Sequence, residues 1–162
     1  MVALAVVLGL VAWLATRGDD EGAASGGTTE RIVSKAQLAG IAANLEQLVY
    51  WAGPVSGAKL ELIEFSGGIQ VRYRPGGTPP AESLTVATYP RQEAEAELQA
   101  FAARPGSFSR AGVDGRVVVS SREQPTSVYF VSADGSAQVE VYDPSPERAL
   151  SLARSVRVRP VR

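Results

Sequence analysis

The chain of 162 residues contains neither cysteine nor histidine. Without cysteine it cannot form disulfides, use a thiolate nucleophile or carry a lipid on a cysteine side chain. Without histidine it lacks the commonest general base, the commonest metal ligand and the usual switch near neutral pH. These absences exclude many mechanisms, and we predict that the chain is not an enzyme and has no catalytic residue, metal site or cofactor.

An excess of charge of one sign is also lacking, since the formal net charge is −1. The stretch from Arg17 to Glu30 holds one base and four acids, a net charge of −3, and the chain from Arg31 onward holds 15 bases and 13 acids, a net charge of +2. So small a basic excess gives no electrostatic footprint for a phosphate backbone. We therefore expect no nucleic-acid partner.

The one long apolar run, residues 1–16, contains no charged side chain. It is shorter than the roughly 20 residues of a typical membrane span, and it lacks the preceding basic residues of a secretory signal. Trp13, near its end, suits a membrane interface. We predict a transmembrane anchor over residues 1–16, with the lipid bilayer as its partner; a cleaved signal and a buried helix of the domain are the alternatives.

Residues 17–30 are acidic and rich in glycine, which predicts a flexible linker. The remainder, residues 31–162, has the size of a single domain. Its first element is predicted to be a helix, because Ser34 and Gln37 form a possible capping box ahead of an apolar stripe at helical spacing. The aromatic pair that follows, Tyr50-Trp51, favours a strand.

A hairpin is predicted where Lys59–Phe65 and Ile69–Arg74 flank a glycine-rich turn, because the second run alternates apolar and polar side chains. A third strand, Leu84–Tyr89, leads into a helix. The second half repeats this order, with a hairpin turn at Asp134-Gly135 and a closing helix over Pro144–Val156.

Hairpins imply antiparallel pairing, and helices need an apolar sheet face to cover. We therefore predict an α+β fold with a mainly antiparallel sheet, helices on one face and two strand-strand-strand-helix halves, preceded by one N-terminal transmembrane helix. Residues 128–131 (VYFV) are apolar on both faces, which predicts a central strand.

No motif of known chemistry stands out. Ser56 and Lys59 have the spacing of a serine–lysine dyad, but they lie in a predicted turn and the partner motifs of that chemistry are missing. Glu93, Glu95 and Glu97 would point in different directions on a helix, as is typical of a solvated helix start. No glycine-rich loop followed by lysine and serine or threonine marks a phosphate site.

Aromatic residues and arginines supply the candidates for binding. We predict Tyr50, Trp51, Arg72 and Tyr89 as candidate ligand-binding residues; packing in the core and on the sheet face is the alternative, because aromatic side chains bury large areas. The arginines near the C-terminus suit lipid headgroups or an anionic wall polymer, or else the polar face of a helix and a charged edge strand.

The strings VYWAGP (49–54), LTVATYP (84–90), PTSVYF (125–130) and VEVYDPSPERAL (139–150) resemble an uncharacterised family of single-pass or exported proteins of high-GC Gram-positive bacteria. The resemblance covers residues 34–160 and implies an α+β domain outside the cytoplasm, with no known activity or site residue. The ending ERALSLARSV is also similar to extracytoplasmic domains of anti-sigma-type and lipoprotein sensors.

The basic residues near the apolar run all follow it, which by the positive-inside rule favours a cytoplasmic domain. The acidic flank and the resemblance favour the other side. We expect a single-pass protein of the cell membrane with an extracytoplasmic domain that binds an envelope protein or polymer. The alternatives are a sensory or regulatory envelope domain of anti-sigma type and a carboxylate-dependent envelope hydrolase.

Overall fold

The computed structural model describes residues 28–45 and 47–161. The predicted transmembrane helix, residues 1–16, lies outside them. The strands of this part of the chain are β1 (Thr29–Val33), β2 (Tyr50–Trp51), β3 (Ala58–Phe65), β4 (Gly68–Pro75), β5 (Thr85–Pro90), β6 (Ser107–Ala111), β7 (Val117–Ser121), β8 (Ser127–Val131), β9 (Ala137–Tyr142) and β10 (Arg159–Pro160). The helices are α1 (Lys35–Asn44), α2 (Ala94–Ala102) and α3 (Pro146–Arg154), and a 3₁₀ turn covers Pro80–Glu82. Among the described residues, no helix has the length and apolarity needed to cross a bilayer.

Eight strands form one sheet in the order β1-β3-β4-β5-β9-β8-β7-β6, and every neighbouring pair is antiparallel. The sheet consists of two four-stranded meanders, β1-β3-β4-β5 and β6-β7-β8-β9, which meet at the central pair β5–β9. The last strand of each meander is followed by a helix, α2 or α3. The predicted α+β class with a mainly antiparallel sheet is confirmed.

Two positions in the sheet require glycine, one in a turn and one where two strands approach closely. Gly135 closes the β8–β9 hairpin with a φ of 74°, a conformation that glycine adopts without a steric penalty. A Cβ at Gly68 would lie 2.3 Å from the Thr88 carbonyl oxygen, so β4 and β5 approach each other too closely there for any other residue. The pairing of β8 with β9 across Asp134-Gly135 confirms the hairpin predicted there.

Side-chain caps fix the starts of two helices. At α1 the Gln37 N–H donates to Ser34 Oγ at 3.2 Å, and the Ser34 N–H donates to Gln37 Oε1 at 2.8 Å, which confirms the predicted capping box. At α3 the Arg148 N–H donates to Ser145 Oγ at 3.3 Å. These bonds satisfy backbone groups that have no partner within the helix.

One face of the sheet is aliphatic. Register aligns Leu62 with Val71 and Val86 with Val141, so that fully buried branched side chains from both meanders form one layer. We call this the aliphatic face. It is covered by α1, α3 and the small β2–β10 ribbon. These elements contribute Leu38, Trp51, Ala149 and Leu152 to the buried core, and Val158, directly before β10, belongs to the same core.

The opposite face, which we call the polar face, carries buried polar side chains at the alternate positions: Glu61, Gln70, Thr85, Ser127 and Gln138. Helix α2 packs against this face, not against the aliphatic one. Leu98 of α2 forms a separate apolar cluster with Val119 and Tyr129, and the Phe101 ring meets the Tyr129 ring edge-on with centroids 5.4 Å apart.

The prediction that the helices share one face is therefore wrong. In β7, Val118 joins the aliphatic core whereas its neighbour Val119 packs under α2. In β8, Phe130 and Tyr129 divide in the same way. Because side chains alternate along a strand, two strands that are apolar on both faces need a cover on both sides.

Two outer strands, β1 and β6, were not predicted. Their residues are mostly exposed or half-exposed, and each strand pairs with a neighbour on one side only. Edge strands of this kind need little apolar alternation, so the sequence pattern does not reveal them. Strand β1 begins at Thr29, so that Thr29 and Glu30, assigned to the linker from sequence, lie in the sheet.

Candidate functional site

The four candidate ligand-binding residues lie on two sides of the sheet. Tyr50 and Trp51 form β2, which lies over the aliphatic face and pairs with β10. Arg72 on β4 and Tyr89 on β5 lie on the polar face. The structure therefore brings Tyr50 and Trp51 into one ribbon but separates them from the other two by the sheet itself.

Both residues of β2 are buried, each with only 4 % of its surface exposed to solvent, because β2 is enclosed between the sheet and the elements around it. Their side chains nevertheless line different cavities, Tyr50 on one and Trp51 on two others. The ribbon thus contributes one aromatic wall to each of two concave regions.

The first region is a cavity of about 430 Å³ between α2, the start of β7 and the β8–β9 hairpin. We call it the Arg116 cleft. Its apolar lining comes from Leu98, Val119, Phe130 and Val131. Its polar side chains are those of Tyr50, Glu95, Gln99, Asp114, Arg116 and Ser132. An apolar pocket of this size with a few converging polar groups is the usual form of a small-molecule site.

Arg116 is held rigidly beside the cleft. Its Nε donates to Asp114 Oδ1 and Oδ2 at 2.8 and 2.7 Å, and its terminal nitrogens bond Asp114 again and the Val158 carbonyl oxygen, the latter at 3.0 Å. Its guanidinium carbon lies 4.4 Å from the centre of the Phe130 ring, a cation–π contact. The hydrogen bonds from Arg116 hold the pKa of Asp114 below its usual range.

Tyr50 supplies the hydroxyl of the cleft. Its ring meets Phe130 edge-on at 5.7 Å between centroids, and its backbone N–H donates to Thr88 Oγ1 at 3.0 Å. Burial raises the pKa of Tyr50, although the Ala133 N–H and the charge of Arg116 lower it in part. The phenol is therefore a neutral hydrogen-bonding group at ordinary pH.

The rim of the cleft carries a small excess of negative charge. Glu95 and Asp114 are exposed acids of the lining, and Arg116 is its only base among the described residues. Since Asp114 and Arg116 form an ion pair, Glu95 remains without a charge partner there. The charge and the apolar floor together favour a ligand with an apolar body and a cationic group.

The second region consists of two adjoining cavities of about 460 and 470 Å³ that share Trp51 and Lys35. We call it the Trp51 groove. The first cavity has apolar walls from Ile32, Val55, Ala58 and Leu60, and Lys59 at its edge. The second is bounded by Arg159 and Pro160. The groove contains both lysines of the chain and no acidic residue among its described lining.

Arg72 has a structural partner on the polar face. Its NH1 donates to Glu61 Oε2 at 2.9 Å, and Arg74 NH1 donates to Glu61 Oε1 at 2.8 Å. Glu61 is 4 % exposed, so both arginines neutralise a buried carboxylate. Removing both arginines would leave the buried Glu61 carboxylate without a charge partner, which is strongly destabilising. Arg72 therefore lies in an ion-pair network and lines neither region.

Tyr89 belongs to a cluster of hydroxyls around Glu140. The Glu140 carboxylate accepts hydrogen bonds from Ser127 Oγ at 2.7 Å, from Tyr89 at 2.8 Å and from Tyr129 at 3.2 Å. Burial raises the pKa of Glu140, while the three hydroxyls lower it. Burial and the neighbouring Glu140 raise the pKa of Tyr89 and of Tyr129. This seam joins β5, β8 and β9 across the two meanders.

Glu61 and Glu140 do not form a catalytic pair. Glu61 on β3 and Glu140 on β9 are separated by three strand spacings, which is about 14 Å. Paired carboxylates of glycosidases are about 5–9.5 Å apart. In residues 28–45 and 47–161 there is also no group of three or more acidic side chains arranged to hold a metal.

Sequence reasoning chose Tyr50 and Trp51 but missed the residues that complete their cavities. Arg116 contacts Phe130 and Val158 only because the fold brings them together. The one local feature that could have drawn attention to Arg116 is the Asp114-Gly115 turn before it. Lys35, Lys59 and Arg159 are far apart in the sequence and meet only around Trp51. Comparison of the chain with protein-family models, with curated proteins and with solved structures finds no match.

Proposed function

We propose that this chain is a membrane-anchored, non-enzymatic binding domain. In this proposal residues 1–16 anchor it in the cell membrane, the domain lies on the extracytoplasmic side, and a ligand from the envelope occupies the Arg116 cleft. The observation that carries the proposal is the cleft itself: a preformed cavity of about 430 Å³ with an apolar floor and fixed polar groups at its rim.

The rigidity of the rim supports binding by a preformed site. Arg116 is fixed by the Asp114 carboxylate, the Val158 carbonyl oxygen and the Phe130 ring, and Tyr50 by Phe130 and Ala133. A site that is already ordered loses little conformational entropy when a ligand binds. The hydroxyl of Tyr50 and the carboxylate of Glu95 then orient a hydrogen-bonding, cationic group.

The ligand class follows from this lining. The floor formed by Leu98, Val119 and Val131 is apolar, so it favours an aliphatic or aromatic body. Glu95 at the rim favours an ammonium or guanidinium group over a carboxylate. We therefore propose an amphiphilic cation, such as an amino-terminated or basic peptide segment of an envelope protein, as the ligand of the cleft.

Calorimetry on the full chain in neutral phosphatidylcholine nanodiscs tests the cleft, with hexylammonium and hexanoate as probes. We expect hexylammonium to bind and hexanoate to bind more weakly. Glu95→Gln should weaken hexylammonium binding by about two- to five-fold, as for an exposed ion pair. Glu93→Gln is the matched control, because Glu93 is an exposed acid on the same helix start outside the lining.

A second pair of variants tests the apolar lining. Val117 is 53 % exposed and lines the cleft, whereas Val113 is 72 % exposed and does not. Val117→Ala should weaken hexylammonium binding while Val113→Ala leaves it unchanged, and neither should unfold the domain because both side chains are largely exposed. Equal binding of both probes, or equal effects of Glu95→Gln and Glu93→Gln, would contradict the assignment of the cleft.

The anchor has its own test. The full chain should sediment with membranes and resist carbonate extraction, whereas a fragment that begins at Thr28, and so retains all of β1, should remain in the soluble fraction. Recovery of the full chain in the soluble fraction would refute the membrane part of the proposal without bearing on the cleft.

A further inference from the structure

Three basic side chains without an acidic partner line the groove at Trp51, and a fourth lies near it. Lys35 and Lys59 line the Trp51 groove, and Arg159 borders its second cavity. Arg157 lies close enough to lower the pKa of Tyr73, whose hydroxyl bonds the backbone of Ala52 and Gly53 directly after Trp51. The cations come from α1, β3 and the C-terminal segment, so only the fold brings them together.

The other described arginines each have a partner within the chain: an ion pair, a hydrogen bond to a backbone carbonyl oxygen or a contact with an aromatic ring. Arg31, Arg72, Arg91, Arg116 and Arg148 each form an ion pair with an acid of the chain. Within the described residues, the side chains of Lys35, Lys59, Arg157 and Arg159 form no ion pair or hydrogen bond. All four are exposed. Their positive charge is therefore uncompensated within this part of the chain.

Apolar surface lies directly between these charges. Ile32 is 54 % exposed at the edge of the first cavity, and Val55 and Ala58 are half-buried in its wall. Trp51 forms the shared wall of the two cavities. Long basic side chains beside tryptophan and exposed aliphatic groups are typical of surfaces that meet the interface of a membrane.

We infer that the Trp51 groove is a docking surface for anionic lipid headgroups, which holds the domain against the membrane that anchors it. Phosphate groups of the headgroups pair with the uncompensated lysines and arginines, and Ile32 and the groove walls meet the upper part of the acyl chains. The inference rests on the proposed anchor, but not on the ligand of the Arg116 cleft, which lies at the other end of β2 and carries the opposite charge.

The linker allows this docking. A chain of about a dozen residues between the apolar run and β1 spans at most about 40 Å when fully extended. That reach lets the domain turn any of its surfaces to the bilayer. The charge and the apolar area of each surface therefore determine which one docks. Near an anionic membrane each lysine or arginine contributes about a five-fold factor to the affinity.

The test measures how close Trp51 lies to the lipid. A Trp13→Phe variant leaves Trp51 as the only tryptophan of the chain, which has two. This variant is reconstituted in nanodiscs that contain a trace of headgroup spin-labelled lipid in phosphatidylcholine alone, or with about 30 % phosphatidylglycerol. We expect the fluorescence of Trp51 to be quenched in the anionic discs and less so in the neutral ones, with the difference lost near 1 M salt, where the Debye length is about 3 Å.

Charge variants identify the surface. Lys35→Gln, Lys59→Gln and Arg159→Gln together should shift the docked equilibrium about 100-fold towards the undocked state and abolish the extra quenching. The matched control removes three exposed charges from the opposite edge of the sheet, beside β6: Arg104→Gln, Arg110→Gln and Arg122→Gln. Quenching in the control should equal that of the parent.

Two outcomes would overturn the inference. One is equal quenching in neutral and anionic discs, or equal loss in the triple variant and its control. The other is a saturable change in Trp51 fluorescence with soluble polyglycerol phosphate in neutral discs, accompanied by no response to phosphatidylglycerol, which would make the occupant a wall polymer. Failure of the chain to remain with the discs would instead refute the proposed anchor.

Discussion

The two meanders of the sheet share their strand order and their closing helix, but only the first contains an insertion. Between β1 and β3 lie α1 and β2, whereas β6 and β7 are joined by a tight connection in which the Gly112 N–H donates to the Arg116 carbonyl oxygen at 2.8 Å. Tyr50 and Trp51 both belong to the insertion. The difference between the meanders therefore contributes an aromatic wall to both concave regions.

The helices show that the meanders are not independent. Helix α2 follows the first meander but packs against β6, β7, β8 and β9 of the second. Helix α3 also packs against β7, β8 and β9. The aliphatic face of the first meander is left to α1 and the β2–β10 ribbon. The insertion thus covers the aliphatic face of the first meander, whose own closing helix, α2, packs against the second meander instead.

The largest effect is expected from removing the aromatic anchor of the insertion. Trp51 is 4 % exposed and belongs to the main core, so Trp51→Ala should lower the free energy of unfolding by about 3–5 kcal/mol. Ile32→Ala, at a 54 % exposed side chain of the same groove, should change it by less than about 0.5 kcal/mol. Denaturant unfolding of the fragment from Thr28 measures both. An unchanged midpoint for Trp51→Ala would show that the insertion does not cover the first meander.

A smaller effect is expected where the first meander is tied to the insertion by one hydroxyl. Tyr73 on β4 accepts a hydrogen bond from the Ala52 N–H at 2.7 Å and donates one to the Gly53 carbonyl oxygen at 2.9 Å. Tyr73→Phe leaves both groups without this partner and should cost about 1–3 kcal/mol. Tyr142→Phe, which removes a bond to the Ala81 carbonyl oxygen in a surface loop, should cost less. Equal losses of unfolding free energy in urea would contradict the expectation that the bond to the insertion contributes more than a bond in a surface loop.

The seam between the meanders should make stability depend on pH. Because burial raises the pKa of Glu140, the folded domain holds a proton there that the unfolded chain releases above its ordinary pKa of about 4.3. The stabilisation is complete below that pH and is lost as the pH rises through the raised pKa, with a slope of at most about 1.4 kcal/mol per pH unit.

Glu140→Gln should remove this slope. Asp114 and Asp134, whose pKa values are lowered by their hydrogen bonds, act in the opposite sense, and their stabilisation is lost only below about pH 3.9. Urea midpoints measured from about pH 4.3 upward therefore isolate Glu140. A stability that rises with pH in this window, or an unchanged slope in the variant, would show that the hydroxyl donors outweigh burial.

The smallest effects are expected at the helix caps, and they should differ in kind. Ser34→Ala and Ser145→Ala each remove an N-cap and should cost about 1 kcal/mol. Helix α1 buries only Leu38, so loss of its cap should appear as local opening in hydrogen exchange. Helix α3 buries Ala149, Leu152 and Ala153, so loss of its cap should lower the global stability. The same exchange pattern in both variants would contradict this contrast.

Much of the fold could be predicted from local patterns. The alternation of Ile69, Val71 and Tyr73 placed them on one face, and the structure buries all three. The capping residue Ser34 and the turn at Asp134-Gly135 were equally local signals. Each of these features depends on residues a few positions apart, so it can be recognised from a short stretch of sequence.

The errors came from features that depend on distant parts of the chain. The helix arrangement was mispredicted although residues 128–131 were recognised as apolar on both faces, because the need for a second cover was not applied to α2. Strands β1 and β6 carry mostly exposed side chains and owe their conformation to the strands beside them. The partners of Tyr50 and Trp51 in the two concave regions come from β7, α1, β3 and β10, and no spacing in the sequence connects them.

The β2–β10 ribbon also joins segments that are far apart in the sequence, which affects the order of folding. It pairs Trp51 with Arg159, and the Val161 N–H donates to the Val49 carbonyl oxygen at 2.8 Å, so β2 can complete its pairing only after a segment more than 100 residues further along the chain is available. The central strand β5 likewise waits for β9. Contacts so distant in sequence slow folding, because chain entropy is lost before they form. A nascent chain that ends before β9 exposes the edge of β5, so the sheet is completed only after β9 has been synthesised.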